Sequence, residues 1–477
     1  MRVIRMDEQL DQYITQQKQA FLQCPMPELQ ERLSDLNKIS LLITQNQHAI
    51  CHAIAQDFGQ RSVAETALLE IFTSIECIKY TQKNLSRWMR TQKRHTSMWF
   101  KPAKNRVIPQ PVGVVGIIVP WNYPLFLAIA PLVAAIAAGN SVMVKMSENS
   151  QELCRLLQQL FTDTFAQEKV RFIAEEGGTG KAFSALPFDH LVFTGSSTTG
   201  KAVMANAAKN LVPVTLELGG KSPAIIADDY DIKKALERIL GGKTYNSGQT
   251  CVAPDYLYVP EDLLPEVINK AKKIISKRFV DTNHQDYTSI IDSQSFERLV
   301  TTLEDAKAKG ADIYNLIPNS SPDLHSRKFP LHLVTGVDET MQVMQREIFG
   351  PILPIISYQS IEQVISLINK GDRPLALYLF SNSKDLQQKV IHQTRSGGVT
   401  INDVMLHVAQ DDLPFGGSGH SGIGHYHGKE GFERLSKMRP VMYQASLSSL
   451  KLLYSPYSSL GKRMINFIIN RKFGKYD

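Results

Sequence analysis

Three short segments of this sequence pair a reactive side chain with a turn able to aim it. Asn246-Ser-Gly-Gln-Thr-Cys251 sets a cysteine behind a small, polar, glycine-containing turn. Such a turn can expose a thiol and surround it with backbone N–H donors that favour thiolate. Pro120-Trp-Asn-Tyr-Pro124 holds Asn122 in a loop stiffened by two prolines, where its amide could donate to a developing oxyanion. Leu216-Glu-Leu-Gly-Gly-Lys-Ser-Pro223 ends an apolar run at a glycine pair and puts the Glu217 carboxylate where it could activate water. Each segment also has an ordinary reading. A free cysteine is usually an inert buried residue, Asn122 would bond backbone in a rigid turn, and Glu217 would be a surface carboxylate. Taken together, a nucleophile, an oxyanion donor and a base describe acyl chemistry at a carbonyl carbon.

Two further segments carry less. Gly177-Gly-Thr-Gly-Lys181 looks like a phosphate loop, but a Walker pattern needs glycine where Glu175 stands and Ser or Thr where Ala182 stands. His420, His425 and His427 crowd one glycine-rich stretch without the helical or paired-cysteine frame of a metal site. No metal is expected.

The elements that must position these groups change period along the chain. Leu29, Leu33, Leu36, Ile39 and Ile43 recur every three or four residues, as do Ala64, Leu68, Ile71, Ile75 and Ile78, so the first 95 residues read as helices with core-facing stripes. The segment 96–111, with Pro102, Pro109 and Pro111, reads as an extended arm. Strands are then expected at 112–119, 141–145, 170–174, 190–194 and 212–218, alternating with helices. This is the signature of a parallel sheet covered on both faces. The alternation resumes after Gly219 and Gly220, which mark a domain boundary. Asn122 then falls at the C-terminal end of the first strand of the sheet, where doubly wound folds hold ligands.

With 477 residues, two large domains are expected. A composition of 43% apolar and 21% charged residues is that of a globular enzyme. The formal charge of +7 comes from 53 basic residues interspersed with 46 acidic ones, and no base-reading module accompanies it, so no nucleic acid is expected as a partner. Five scattered cysteines without a Cys-x-x-Cys pair point to a reducing compartment, and Met1 to Gln23 lacks the apolar stretch of a secretory signal. A cytoplasmic location follows. The most apolar run, 125–138, is shorter than the roughly 20 residues that cross a bilayer, so no stable membrane insertion is expected. The tail 462–472 mixes apolar residues with basic ends and is expected to dock on the body rather than on a membrane surface.

The three chemical segments, with Phe193-Thr-Gly-Ser-Ser-Thr-Thr-Gly200, Arg346-Glu-Ile-Phe-Gly-Pro351 and Leu413-Pro-Phe-Gly-Gly417, resemble the aldehyde dehydrogenase superfamily over about 106–440. Gly248-Gln-Thr-Cys-Val-Ala-Pro-Asp255 and Tyr426-His-Gly428 are similar to its class three branch. Asp57-Phe-Gly-Gln-Arg-Ser62 and His407-Val-Ala-Gln-Asp-Asp412 are similar to the coniferyl aldehyde dehydrogenases within that branch.

The resemblance implies an α/β fold. It has a doubly wound Rossmann-like cofactor domain (1–95 and 112–219), an α/β catalytic domain (220–418), a small β oligomerisation arm (96–111 and 436–448) and a tail (449–477). It implies attack by Cys251 on an aldehyde, an oxyanion held by Asn122 and the Cys251 N–H, and hydrolysis of the thioester by water that Glu217 activates, with Glu347 as a second candidate base. For the cofactor it implies Lys145 and Glu347 on ribose hydroxyls, Ser196 on pyrophosphate, Phe349 against the nicotinamide, and Trp121 and Gly195 nearby. The segment 195–200, opening a helix, offers N–H groups to phosphate. Glu148 should repel a 2′-phosphate and favour NAD, with NADP an alternative. Lys145-Met-Ser-Glu148 has methionine where the family usually has proline, which should loosen that turn. Tyr123, Tyr245 and Phe349 suggest an aromatic-lined tunnel for coniferaldehyde or, second, a medium-chain aldehyde. The rivals are an acylating dehydrogenase and an inactive binding relative. A homodimer is expected from the family.

Overall fold

The computed structural model describes residues 6–446 and 448–473; the first five residues of the helical N-terminus, Leu447 of the expected arm and 474–477 of the tail lie outside the described residues. Val114, Val115, Ile117 and Ile118 are β-branched and buried, and their strand, Val114–Ile118, runs through the middle of a six-stranded sheet. The strand order is Gly422–Ile423, Val214–Leu218, His190–Gly195, Val114–Ile118, Ser141–Lys145, Val170–Ile173, all parallel except the first. The chain winds outward from Val114–Ile118 to one edge and then returns to build the other. This creates a switch point at the C-terminal ends of Val114–Ile118 and His190–Gly195, where the crevice of such sheets lies.

The helix that follows, Phe126–Ala138, is buried along its whole length, Pro131 included. It ends at Gly139, whose φ of +92° is the left-handed conformation that lets the last turn close. A side chain there would meet the Arg32 guanidinium, which donates to the Ala137 carbonyl at 2.9 Å. One terminal carbonyl of a fully buried helix is thereby satisfied without water.

After Gly219 and Gly220 the chain enters a second sheet of seven strands, ordered Asp312–Asn315, His332–Thr335, Ile352–Tyr358, Tyr256–Pro260, Pro223–Ile226, Ala376–Phe380, Gly398–Ile401. Only the pairing of Asp312–Asn315 with His332–Thr335 is antiparallel. A third, three-stranded sheet joins Gln92–Arg94, Lys104–Pro111 and Ser436–Tyr443. Its Met442 and Tyr443 are exposed.

Three expectations need correction. Ala64 and Leu68 face outward, because the helix passes through a π-helical segment, Ala67–Phe72, whose extra residue per turn rotates the face and brings Glu70 inside instead. The turn after Lys145 is not loosened: Met146 is fully buried and its N–H donates to the Ile173 carbonyl at 3.0 Å, a bond that proline could not make. The tail does not dock broadly on the body. Its helix, Ser459–Phe473, packs on the short turn Ser449–Leu453, and Leu460 and Phe467 stay exposed. Among the described residues no helix is long and apolar enough to cross a membrane.

Candidate active site

The helix Ile232–Thr244 stops at a turn in which Asn246, Ser247 and Gly248 all take positive φ (50°, 52° and 73°). Two non-glycine residues in the left-handed region persist only where their surroundings fix them, and here every one of them is fastened. The Asn246 N–H donates to Glu65 at 3.1 Å, and its amide donates to the carbonyls of Asn122 and Gln249, both at 3.0 Å. Ser247 donates to the Thr288 carbonyl. The Gln249 side chain donates to the carbonyls of Asn246 (2.9 Å) and Ser289 (3.1 Å) and accepts from the Ile291 N–H at 3.0 Å. A Cβ at Gly248 would strike the Gly350 carbonyl, so only glycine lets the turn sit on the segment 347–350. Cys251 emerges from this frame half-buried.

The oxyanion loop is held from the other side. Arg61 and Glu70 form an ion pair at 3.2 Å with both side chains fully buried. Arg61 donates to the Asn122 carbonyl at 2.7 Å and lies 4.8 Å from the ring centres of both Phe58 and Tyr123. Glu70 accepts the N–H groups of Leu125 (2.7 Å) and Phe126 (3.3 Å) at the start of the buried helix. Asn122 is buried, and its amide donates to the Gln249 carbonyl at 3.3 Å, which leaves one of its two N–H groups uncommitted. The Tyr123 hydroxyl bonds Thr250 at 2.8 Å, next to the cysteine.

Cys251, Glu217, Tyr123 and Tyr245 line one cavity of about 480 Å³, whose remaining wall includes Phe126, Leu127, Met405, Leu406, Phe415 and Tyr426. Glu217 stands near the end of Val214–Leu218, almost wholly buried, and neither of its carboxylate oxygens makes a well-formed hydrogen bond, although the Gly417 N–H lies close enough to favour its charge. Burial therefore holds its carboxyl well above the usual range. Glu347 lies by Gly219 and Gly220 on an adjoining cavity of about 490 Å³. Burial, reinforced by Asp255, raises its carboxyl to about 8. Burial also pushes the Cys251 thiol up, with the charges of Glu217 and Glu347 adding to the effect and the backbone N–H groups of Cys251 and Val252 opposing it. The Cys251 sulfur thus rests as a thiol, near two carboxyls that hold their protons more tightly than usual.

Phe349 and Trp121 do not line the cavity around Cys251. They meet edge to face at 5.4 Å, so the aromatic wall is formed by Tyr123, Tyr245, Phe126, Phe415 and Tyr426 without the expected Phe349. The segment 347–350 is pinned by Asp255, which accepts from Ile348 at 2.9 Å, and by Arg298, which donates to the Ile348 carbonyl at 2.7 Å.

The other candidate groups gather at the switch point. Lys145 ends its strand in an ion pair with Glu175, which also accepts the N–H groups of Thr179 and Gly180 at 2.9 and 3.0 Å. Glu148 is exposed two residues into the loop that follows. Gly195 closes the neighbouring strand, and Ser196 caps the helix Ser197–Ala208, accepting from the Thr199 N–H at 3.2 Å. A helix start, a lysine and a paired carboxylate at one crevice fit a ligand carrying phosphates and ribose hydroxyls. Of the three histidines, His427 stacks on Phe415 and His420 approaches Asp372 at 3.0 Å.

The sequence reading missed Arg61, Glu65, Glu70 and Glu175. Arg61 lies in the link between two helices and Glu65 and Glu70 in the helical stretch that follows, where a charged residue reads as solvated until its partner is known. The only signal was the wording 57–62.

The aldehyde dehydrogenase family model matches residues 5–441. A probable coniferyl aldehyde dehydrogenase of Pseudomonas aeruginosa is 46% identical over 458 residues, covering 96% of this chain and 95% of that protein. The substrate-bound state of Staphylococcus aureus AldH superposes with a TM-score of 0.90 at 35% identity, covering 96% of this chain and 99% of that one. A Mycobacterium tuberculosis aldehyde dehydrogenase complexed with NAD+ gives a TM-score of 0.83 at 26% identity, covering 92% of this chain and 90% of that one.

Two predictions follow from the electrostatics. Replacing Arg61 with Met strands Glu70 in the interior and frees the Asn122 carbonyl; urea denaturation should show a loss of about 3–5 kcal/mol, and a loss below 1 kcal/mol would mean the pair holds nothing. Glu347 binds its proton more tightly folded than unfolded, so its contribution to stability declines as pH rises from its ordinary 4.5 to about 8. Glu347→Gln should lessen that decline in melts recorded from pH 5 to 9, and an unchanged profile would contradict the raised carboxyl. With the family model matched over residues 5–441 and relatives matched in sequence and fold across nearly its whole length, this chain belongs to the aldehyde dehydrogenase family.

Proposed function

We propose that the chain oxidises an aldehyde to its carboxylic acid with NAD, or NADP as the alternative, through a thioester on Cys251. The observation that carries this reading is the shared cavity: a half-buried thiol and an unpartnered, buried carboxylate line it together, with the Asn122 loop bonded to the turn that delivers the thiol.

In this reading Cys251 gives its proton to a neighbouring carboxylate and attacks the aldehyde carbon. The oxyanion that develops takes the free N–H of Asn122 and the Cys251 backbone N–H. Lys145, Ser196, Gly195, Glu148, Glu347, Trp121 and Phe349 would hold the dinucleotide, which when bound supplies the hydride acceptor. Loss of hydride from the thiohemiacetal carbon leaves a thioester on Cys251. Glu217 then takes a proton from water as its oxygen attacks, and the acid leaves. Glu217 is the favoured base because it lines the thiol's own cavity, whereas Glu347 lines the adjoining one.

An apolar, aromatic-rich cavity of this size lies within the usual range for binding small organic ligands and suits coniferaldehyde first and a medium-chain aliphatic aldehyde second. The proposed division of labour is a cofactor domain of 1–95 and 112–219, a catalytic domain of 220–418, and an arm of 96–111 and 436–448. That arm, with Met442 and Tyr443 exposed, would pair two copies in a cytoplasmic homodimer.

Protein mixed with NAD and a panel of aldehydes should raise NADH absorbance without any added acyl acceptor, and Cys251→Ala should be silent; dependence on coenzyme A or phosphate would point to an acylating enzyme instead. Catalytic efficiency on coniferaldehyde should exceed that on a medium-chain aldehyde. A preference for acetaldehyde would remove both assignments.

A further inference from the structure

Tyr426 is buried in the wall of the cavity shared by Cys251 and Glu217, and its hydroxyl has no hydrogen-bond partner in the protein. A buried phenol normally finds one. The two oxygens of Glu217, approached by the Gly417 N–H, also lack a well-formed hydrogen bond, so two residues of one cavity carry polar atoms with unfilled bonding capacity. The ring packs against a stacked pair: Phe415 meets it edge to face at 6.1 Å and His427 at 5.1 Å. The hydroxyl is therefore a preset group awaiting something outside the chain. After burial, the charges of Glu217 and then Cys251 are the strongest influences keeping the phenol protonated, which places it within electrostatic reach of both.

We propose that Tyr426 is a further catalytic residue, whose hydroxyl and the Glu217 carboxylate together seat the water that hydrolyses the acyl group on Cys251. The inference rests on the roles given to Cys251 and Glu217 above. The water donates one O–H to Glu217 and the other to the Tyr426 oxygen, which leaves its lone pair for the acyl carbon. The C–O bond forms as one water proton passes to Glu217. The C–S bond then breaks, its electrons stay on the Cys251 sulfur, and the carboxylic acid is released. No oxidant or cofactor enters this half of the reaction.

The step can therefore be read without NAD, using p-nitrophenyl acetate as the probe. Acetylation of Cys251 releases a burst of nitrophenolate, and the steady rate afterwards reports hydrolysis of the acetyl group. Tyr426→Phe removes an oxygen that bonds nothing in the protein, so the fold should stand, as a thermal melt will show. The burst should keep its size and rate while the steady phase slows by about tenfold, the loss expected for one transition-state hydrogen bond. Mass spectrometry should then find acetyl accumulated on Cys251. An unchanged steady rate, or a slowed burst with an unaffected steady phase, would overturn the proposal. Glu217→Gln and Cys251→Ala separate the two levels. If Glu217→Gln accumulates acetyl-enzyme and Tyr426→Phe does not, only the tyrosine assignment fails; if Cys251→Ala still gives a burst, the underlying reading fails.

Discussion

A single backbone oxygen, the carbonyl of Asn122, joins three parts of the molecule that are distant along the chain. It accepts from the Arg61 guanidinium and from the Asn246 amide, so the N-terminal helices and the cysteine turn both pull on the loop that carries the oxyanion donor. Arg61 can sit in that apolar position only because Glu70 neutralises it, and Glu70 in turn caps the start of the helix that leaves the loop. Buried ion pairs contribute little net stability, since desolvation offsets most of their attraction. What this pair supplies is direction. Its fork of donors and acceptors fixes where the loop begins and ends, and transition-state stabilisation needs donors already in place before charge develops.

The same dryness shapes the protonation of the site. Glu217, Glu347 and Cys251 all have their charged forms disfavoured by burial, and each charge adds to the penalty on the thiol. Three acids so close cannot all ionise. Burial keeps protons on these carboxyls, so in the proposed mechanism each would accept one from Cys251 or from water only once it is ionised, and would then hold that proton more tightly than an exposed carboxylate does. Desolvation thus makes the nucleophile dependent on its neighbours and makes those neighbours effective bases.

Much of this was legible in the residues. The apolar β-branched runs marked the five parallel strands of the six-stranded sheet to within two residues, because a strand buried on both faces leaves little freedom in composition, whereas the short antiparallel Gly422–Ile423 left no such run. Cys251, Glu217 and Asn122 were readable as candidates because each follows an element end with turn-forming neighbours. The clamp was not. Arg61 lies in the short link before the helix Val63–Thr66, Glu65 lies on that helix, and Glu70 is brought inward by the π-helical segment Ala67–Phe72, a local shift of register with no mark in the pattern of apolar residues. The Lys145–Glu175 pair stayed hidden for a different reason: strand pairing across a crossover decides which loop faces which. Phe349 departs from expectation only in the tunnel: its ring meets Trp121 and lies outside the cavity around Cys251.

In the proposed mechanism all of these contacts serve covalent chemistry at one sulfur. The most direct test is to quench the protein during turnover of an aldehyde with NAD and to map the modified peptide by mass spectrometry. The acyl group of the substrate should sit on Cys251 and on none of Cys24, Cys51, Cys77 or Cys154. Sustained NADH production with Cys251 unmodified throughout, or continuing after that sulfur is blocked, would contradict the account.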